Sequence, residues 1–332
     1  MTLSHGSGGK ATRALVEAIF AAELANPILD PLDDAALLPP AAGGLVFTTD
    51  SYVVKPLFFP GGDIGRLAVC GTVNDLAVAG ATPLYLSLGV ILEEGFPIAD
   101  LRRIVQSLRQ AADEAGVRVV TGDTKVVERG KADGVYLNTA GIGRLRPGAQ
   151  LAAAAARPGD RVLVSGRLGD HGVAILVARA ELDLESEVRS DTAPLHDLVA
   201  NLLDAAGAGV RSLKDPTRGG LATALNEIAL AADIGIAVEE SQVPVAADVR
   251  GACEILGIDP LHLANEGKLL AIVAPEYATA ALTALRAHPL GREAAIVGEI
   301  VSEPRGMVFL RTSIGGHRVL DMLAGDALPR IC

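Results

Sequence analysis

Acidic residues recur where apolar segments end: Asp33 and Asp34 before AALLP, Asp50 after VFTT, Asp75 in VNDLA, Asp123 after VVTG and Asp215 in KDPTRGG. Segment ends are where α/β scaffolds carry functional side chains. Any one of these carboxylates could be a cap or a turn former; taken together they point to a cation site. Asp75 sharpens the point. At ~100° per residue on a helix it projects from the side that carries Ile64, Ala68 and Gly71, which is not a solvent stripe. An isolated carboxylate on a packed face costs several kcal/mol, so it demands a counter-charge or a metal ion. Carboxylate oxygens are hard ligands that suit Mg²⁺, which commonly bridges a few carboxylates to substrate phosphates. The competing arrangement is a helix-terminal Asp75, or one paired with an arginine such as Arg218.

Near the amino terminus, HGSGGK offers backbone N–H groups and the charge of Lys10 to a polyphosphate, or is simply a flexible end. It is not a Walker A loop, because Ser4 stands where that motif has its first glycine and Ala11 follows Lys10. Lys125 in TGDTK and Glu266 in NEGK follow strand or loop ends without an obvious structural duty; they are surface charges or reactive groups. Of the three cysteines, Cys70 and Cys253 lie inside apolar helical patterns and read as packed thiols. They are too few and too scattered for a disulfide framework or a CxxC metal site. Cys332 differs: it ends the chain in PRIC, a thiol beside the terminal carboxylate.

These residues must be positioned by a mixed scaffold. Half of the 332 residues are apolar but only 3% are aromatic, with no Trp, so the interior is built from Ala, Val, Leu and Ile. That mixture favours α/β layers, and the length favours two domains. Periodicity predicts strands at 44–49, 84–92, 117–120 and 135–142, with helices at 63–79, capped by Asp63, and 101–115. After GAQLAAAAARPGD, which places a boundary near 150, helices are predicted at 171–180, 194–206, 219–232 and 276–287. Strands are predicted at RVLVSG, 236–240, 268–274, 294–300 and 307–312. The glycine-containing stretch 315–332 reads as a mobile tail. A net charge of −11 and the lack of a basic cluster with interleaved aromatics argue against nucleic-acid binding. No leader pattern and no run of ~18 apolar residues is visible, which predicts a cytoplasmic protein away from the membrane.

PRIC, HGSGG, LDDAA, TTDS, GTVNDLAVAGATP, TGDTKVV, DPTRGG and NEGK together resemble the carbamoyl dehydratase branch of the aminoimidazole ribonucleotide synthetase-like (PurM-like) ATP-binding family. The resemblance covers residues 4–332. It implies an α/β (α+β) fold: an ATP-binding domain at 1–150 whose sheet forms a barrel in a homodimer, a C-terminal α/β sandwich domain at 151–314, and a mobile tail at 315–332. It also implies a reaction. A carbamoyltransferase, HypF, loads a carbamoyl group onto Cys332; ATP-dependent dehydration turns the thiocarboxamide into a thiocyanate. Cyanide then passes to iron on a HypC–HypD scaffold for [NiFe] hydrogenase.

Residue by residue, the resemblance makes Lys10 a phosphate contact and Asp50, Thr121, Gly122 and Asp123 nucleotide positions, with Arg218 facing the phosphates. Asp34, Asp75 and Asp215 match Mg²⁺ positions, with Asp33 adjacent, and Lys125 and Glu266 match positions near the modified cysteine. Glu266 is then the natural base for the departing nitrogen protons, with Lys125 assisting or acting as base itself. The competing assignments are selenophosphate synthetase, thiamine-monophosphate kinase and a non-catalytic thiol carrier. The first normally carries sulfur or selenium in the glycine-rich loop, where this chain has HGSGGK.

Overall fold

Two sheets, each assembled from its own half of the chain, account for most of the strands. The structure is a computed structural model that describes residues 9–15, 17, 36–37, 44–179, 187–323, 325 and 330–332. Asp33, Asp34, most of HGSGGK and Pro329 lie outside the described residues.

Before the first sheet lies a short helix, α1 (Lys10–Leu15). The strands of the first half are β1 (Ala36–Leu37), β2 (Leu45–Tyr52), β3 (Phe58–Phe59), β4 (Gly62–Asp63), β5 (Ala81–Glu93), β6 (Arg118–Val127) and β7 (Val135–Leu145). β3 and β4 form a separate ribbon; the others make a sheet in the order β1-β2-β7-β5-β6, in which only β5 and β6 run parallel. One face of this sheet is covered by α2 (Ile64–Val78), with α3 (Ile98–Glu114) packed beside it. Asp63 starts α2 as the sequence predicts, its carboxylate accepting from the N–H groups of Gly65 at 2.8 Å and Arg66 at 3.0 Å. α2 is buried nearly all round, as expected for a helix without a polar face. The opposite face of the sheet leaves apolar side chains exposed. There Phe47, Ile142 and Tyr85 register across β2, β7 and β5 and are 40%, 38% and 46% exposed.

The second half supplies β8 (Arg161–Val164), β9 (Val210–Lys214), β10 (Gly235–Glu239), β11 (Leu270–Val273), β12 (Ala295–Val301), β13 (Met307–Arg311) and β14 (His317–Val319). They make a sheet in the order β14-β13-β10-β12-β8-β11-β9, with β10 and β13 parallel. Its helices are α4 (Asp170–Ala178), α5 (His196–Ala206), α6 (Gly220–Ala232), α7 (Ala247–Leu256) and α8 (Ala278–Ala287). α6 covers one face through Leu221, Leu225 and Ile228, and α5 with α8 cover the other through Leu198, Leu202 and Leu285. This is the sandwich implied by the resemblance.

The periodic reading lacks β9, β14 and α7 and ends β6 too early. α7 is missing from it because only Val249, Ala252 and Cys253 are buried, while Ile255 on the same helix is exposed, so the ten residues carry no clear apolar stripe. TGDTK is not a loop after a strand: β6 continues through it to Val127. Cys70 and Cys253 are packed thiols, and burial pushes them up to about 12 and about 11. The halves share apolar cores. Tyr52 and Ile64 pack in one cluster with Val173, Ile175, Leu263 and Ile331, while Ala77 and Val78 join Leu195 and Leu198 in another. Among the described residues, no helix is long and apolar enough to cross a membrane.

Candidate active site

Asp50 and Tyr52 from β2, Gly71 and Asp75 from α2, Asp215 and Arg218 from the loop before α6, Glu266, and Cys332 line one cleft of about 190 Å³. β2 alternates, so Thr48 and Tyr52 are buried while Phe47 and Ser51 are exposed on its other side. Thr48 Oγ1 donates to Asp75 Oδ2 at 2.8 Å, which fixes the carboxylate at the cleft wall. Gly71, one turn before Asp75, lets Tyr52 lie against the helix; a Cβ there would sit 2.3 Å from the phenol oxygen. Burial, with Asp50 adding to it, holds the Tyr52 phenol well above its usual range.

DPTRGG turns back because Gly219 and Gly220 both take positive φ, 75° and 60°. A Cβ on Gly220 would meet the carbonyl oxygens of Leu263 at 2.5 Å and Leu261 at 2.6 Å. The turn brings Arg218 to the cleft mouth, with Nη2 3.9 Å from Asp50 Oδ1. The charge of Cys332 is the largest influence raising the guanidinium's affinity for its proton; burial opposes it and Asp50 and Glu266 add to it.

Glu266 is 2% exposed, and its Oε1 has no hydrogen-bond partner among the described residues. Burial first, then Asp215, Asp191 and Asp50, push its carboxyl well above the usual range, with Arg218 working against them. A carboxyl that holds its proton among acidic neighbours is suited to proton transfer. Its backbone is fixed on both sides: the N–H donates to Asp191 Oδ1 at 3.0 Å and the carbonyl accepts from Asn74 Nδ2 at 3.3 Å. Asp191 is bridged to Lys268 Nζ at 2.9 Å. Burial opposes ionisation of Asp191, but Lys268, helped by the Glu266 N–H, prevails and holds it below its usual range. Asn265 donates to the carbonyls of Pro216 at 2.9 Å and Leu263 at 3.0 Å and accepts from the Gly169 N–H at 2.8 Å. One side chain thus ties the NEGK loop, the DPTRGG loop and the start of α4.

Cys332 reaches the cleft because the last residues are docked. Val53 N–H donates to the backbone carboxylate oxygen of Cys332 at 3.2 Å and Lys55 N–H to the Arg330 carbonyl at 3.1 Å; Arg330 Nε returns a bond to the Val53 carbonyl at 3.1 Å. Arg330 also pairs with Asp133, and Arg179 Nη2 donates to the Arg330 carbonyl at 3.0 Å. Where the sequence suggests mobility from 315 onward, the described parts are engaged: 317–319 is β14 and Leu320 is 1% exposed. A tail that delivers its thiol elsewhere has to leave these bonds.

The cleft therefore unites Asp50, Asp75, Asp215, Arg218, Glu266 and Cys332, and not the other candidates. Lys10 sits at the start of α1 and pairs with Asp321. Thr121, Gly122, Asp123 and Lys125 lie on the edge strand β6, where Thr121, Asp123 and Lys125 register with Ser87, Gly89 and Ile91; Lys125 pairs with Asp123 at 2.7 Å. Among the described residues no group of three metal-binding side chains stands close enough to cage an ion. The carboxylates of Asp75 and Asp215 facing one cleft still fit a hard cation that shares its shell with phosphate oxygens. Sequence reasoning missed Tyr52, Asn74, Asp191 and Asn265. For the two asparagines a signal existed, since each immediately precedes a flagged acid, in VND and NEG.

Comparison with known proteins matches the N-terminal domain of AIR synthase related proteins over residues 32–145 and the C-terminal domain over 157–311. A carbamoyl dehydratase HypE from Bradyrhizobium diazoefficiens is 57% identical over 330 residues, 99% of this chain and 95% of that protein. The one from Escherichia coli K12 is 48% identical over 335 residues, 99% and 98% of the two chains. Among solved structures, hydrogenase maturation protein HypE in complex with ATP is similar at a TM-score of 0.84 and 50% identity, with 99% of each chain covered. A HypE–HypF complex matches at 0.89 and 48%, with 93% of this chain and 100% of that one covered. A thiamine monophosphate kinase from Aquifex aeolicus, 19% identical with a TM-score of 0.68 over 91% and 97% of the chains, shares the fold.

Proposed function

The chain belongs to the HypE carbamoyl dehydratases, enzymes of hydrogenase maturation within the AIR synthase-related family, and from that premise we propose that it dehydrates a carbamoyl group carried on its own Cys332. The observation that carries this reading is the terminal thiol docked in the same cleft as Glu266, Asp75, Asp215 and Arg218.

Converting S–C(=O)–NH₂ to S–C≡N removes one oxygen and two protons. Phosphorylation of the carbamoyl oxygen by ATP lets phosphate leave in place of hydroxide, giving thiocyanate, ADP and phosphate. Arg218 would face the charge that develops on the transferred group. Mg²⁺ would be held by Asp75 and Asp215, joined by Asp34, and would neutralise phosphate charge. Glu266, ionised in the loaded site, would take a proton from nitrogen; its raised proton affinity makes it a strong base once ionised.

Lys10, Asp33, Thr121, Gly122, Asp123 and Lys125 enter this scheme as nucleotide and thiol contacts outside the cleft of one chain. The exposed apolar face of the first sheet suggests how the β6 residues take part. Thr121, Asp123 and Lys125 register with residues of the face that carries Tyr85 and Ile91, and a homodimer formed through it would place one copy's β6 against the other. HypF as carbamoyl donor and a HypC–HypD scaffold as cyanide acceptor complete the partners, in a cytoplasmic setting that suits three free thiols.

The test is intact-mass spectrometry of the full chain after carbamoyl transfer. Cys332 should gain a carbamoyl group and lose the mass of water only when ATP and Mg²⁺ are added. Glu266→Gln should still be carbamoylated but should lose water at least ~100-fold more slowly, the scale of a removed general base. Water loss without ATP, or normal loss in Glu266→Gln, overturns the assignment.

A further inference from the structure

His171 has no part in that chemistry, yet it is fully buried and its ring reaches the chain terminus. Nε2 lies 2.8 Å from the carbonyl oxygen of Ile331, the residue next to Cys332. A carbonyl only accepts, so Nε2 carries the proton. Burial lowers the ring's proton affinity and keeps it neutral, with Asp191 and the Ile331 carbonyl opposing. Nδ1 is then an acceptor, and the Ser190 hydroxyl donates to it at 2.8 Å. Ser190 Oγ in turn accepts from the Thr192 N–H at 3.2 Å and stands 2.6 Å from the Thr192 hydroxyl. The relay runs one way, Thr192 to Ser190 to His171, and its outlet is the Ile331–Cys332 peptide. Phe59 fixes the ring edge-on at 5.6 Å. The helix that bears His171 begins at Gly169, which Asn265, the neighbour of Glu266, holds through its N–H.

We propose that His171 is a positioning residue: a latch that holds the terminal peptide in the cleft and thereby sets how the tail divides its time between dehydration and delivery. Its effect on turnover rests on the proposed carbamoyl dehydration; its effect on docking does not. The contact is to backbone, so it survives loading of the thiol.

Docking is read first, by the rate at which iodoacetamide alkylates Cys332 in the full chain without nucleotide or carbamoyl donor. Cys70 and Cys253, 0% and 3% exposed, stay slow and do not confuse the signal. His171→Ala should speed alkylation about three- to tenfold, the factor one net hydrogen bond supports. His171→Gln, which keeps an N–H at similar reach, should restore a rate within about twofold of wild type. Ser190→Ala, a smaller change that removes the donor orienting the ring, should give an intermediate rate and carries the test if His171→Ala does not fold. Unchanged rates in these variants overturn the latch.

The second reading is single-turnover dehydration after carbamoyl loading. His171→Ala should slow water loss while carbamoyl transfer onto Cys332 stays equal or becomes faster; a parallel fall in both marks a merely structural role and overturns the proposal. Wild-type protein that never loses water with ATP would refute the assigned reaction, while the alkylation rates would still decide the latch.

Discussion

Burial drives Glu266 and His171 to the same neutral state from opposite sides, raising the proton affinity of the acid and lowering that of the base. For His171 this fixes a sign. The folded ring stays neutral while the unfolded chain takes up a proton below about pH 6.5, so the unfolded state binds more protons there. The ring's contribution to stability is complete above that pH and is lost as the pH falls. Urea unfolding of wild type and His171→Gln above and below about pH 6.5 should show the wild type losing stability relative to the variant on acidification. A pH-independent difference would mean that the ring does not remain neutral. At this scale the sequence flagged residues that the fold brings into one cleft, as for Asp75, Glu266 and Cys332. It was silent where the role depends on a partner far along the chain: His171 acts on a residue 160 positions away, and nothing near DHG announces that.

Elements position the acids through turns that tolerate no side chain. Gly220 combines φ of 60° with carbonyl oxygens 2.5 and 2.6 Å from where a Cβ would stand. Those atoms belong to the backbone of Leu263 and Leu261, so they cannot swing aside. Gly220→Ala should therefore cost about 2 kcal/mol or more and displace Asp215 and Arg218, read as a lower Tm together with weaker ATP binding in calorimetry. Normal Tm and binding would show that the loop relaxes freely. Most elements were legible from period and caps, because their buried faces are long. α7 was not, since three buried residues on a ten-residue helix give too short a stripe. TGDTK looked like a loop because Gly122 and Asp123 are poor strand formers, but pairing with β5 overrides propensity at a sheet edge.

At the scale of the molecule, the exposed row Phe47, Ile142 and Tyr85 asks for a covering surface. The proposed occupant is a second copy, because the candidates Thr121, Asp123 and Lys125 lie on the neighbouring edge strand. Ile142→Lys should leave the monomer folded, shift elution from dimer to monomer and reduce dehydration. Wild-type protein that sediments as a monomer at working concentration would sink the dimer. The docked terminus has a further consequence. If Cys332 carries the carbamoyl group as proposed, that substrate has no bulk concentration, so its encounter with the cleft is unimolecular and independent of dilution. On that scheme only loading depends on the concentration of the donor, and the dehydration step does not. The chain's output is counted in visits, one group per chain per cycle, and the traffic of the tail, rather than affinity for a diffusing molecule, becomes the quantity that regulation can act on.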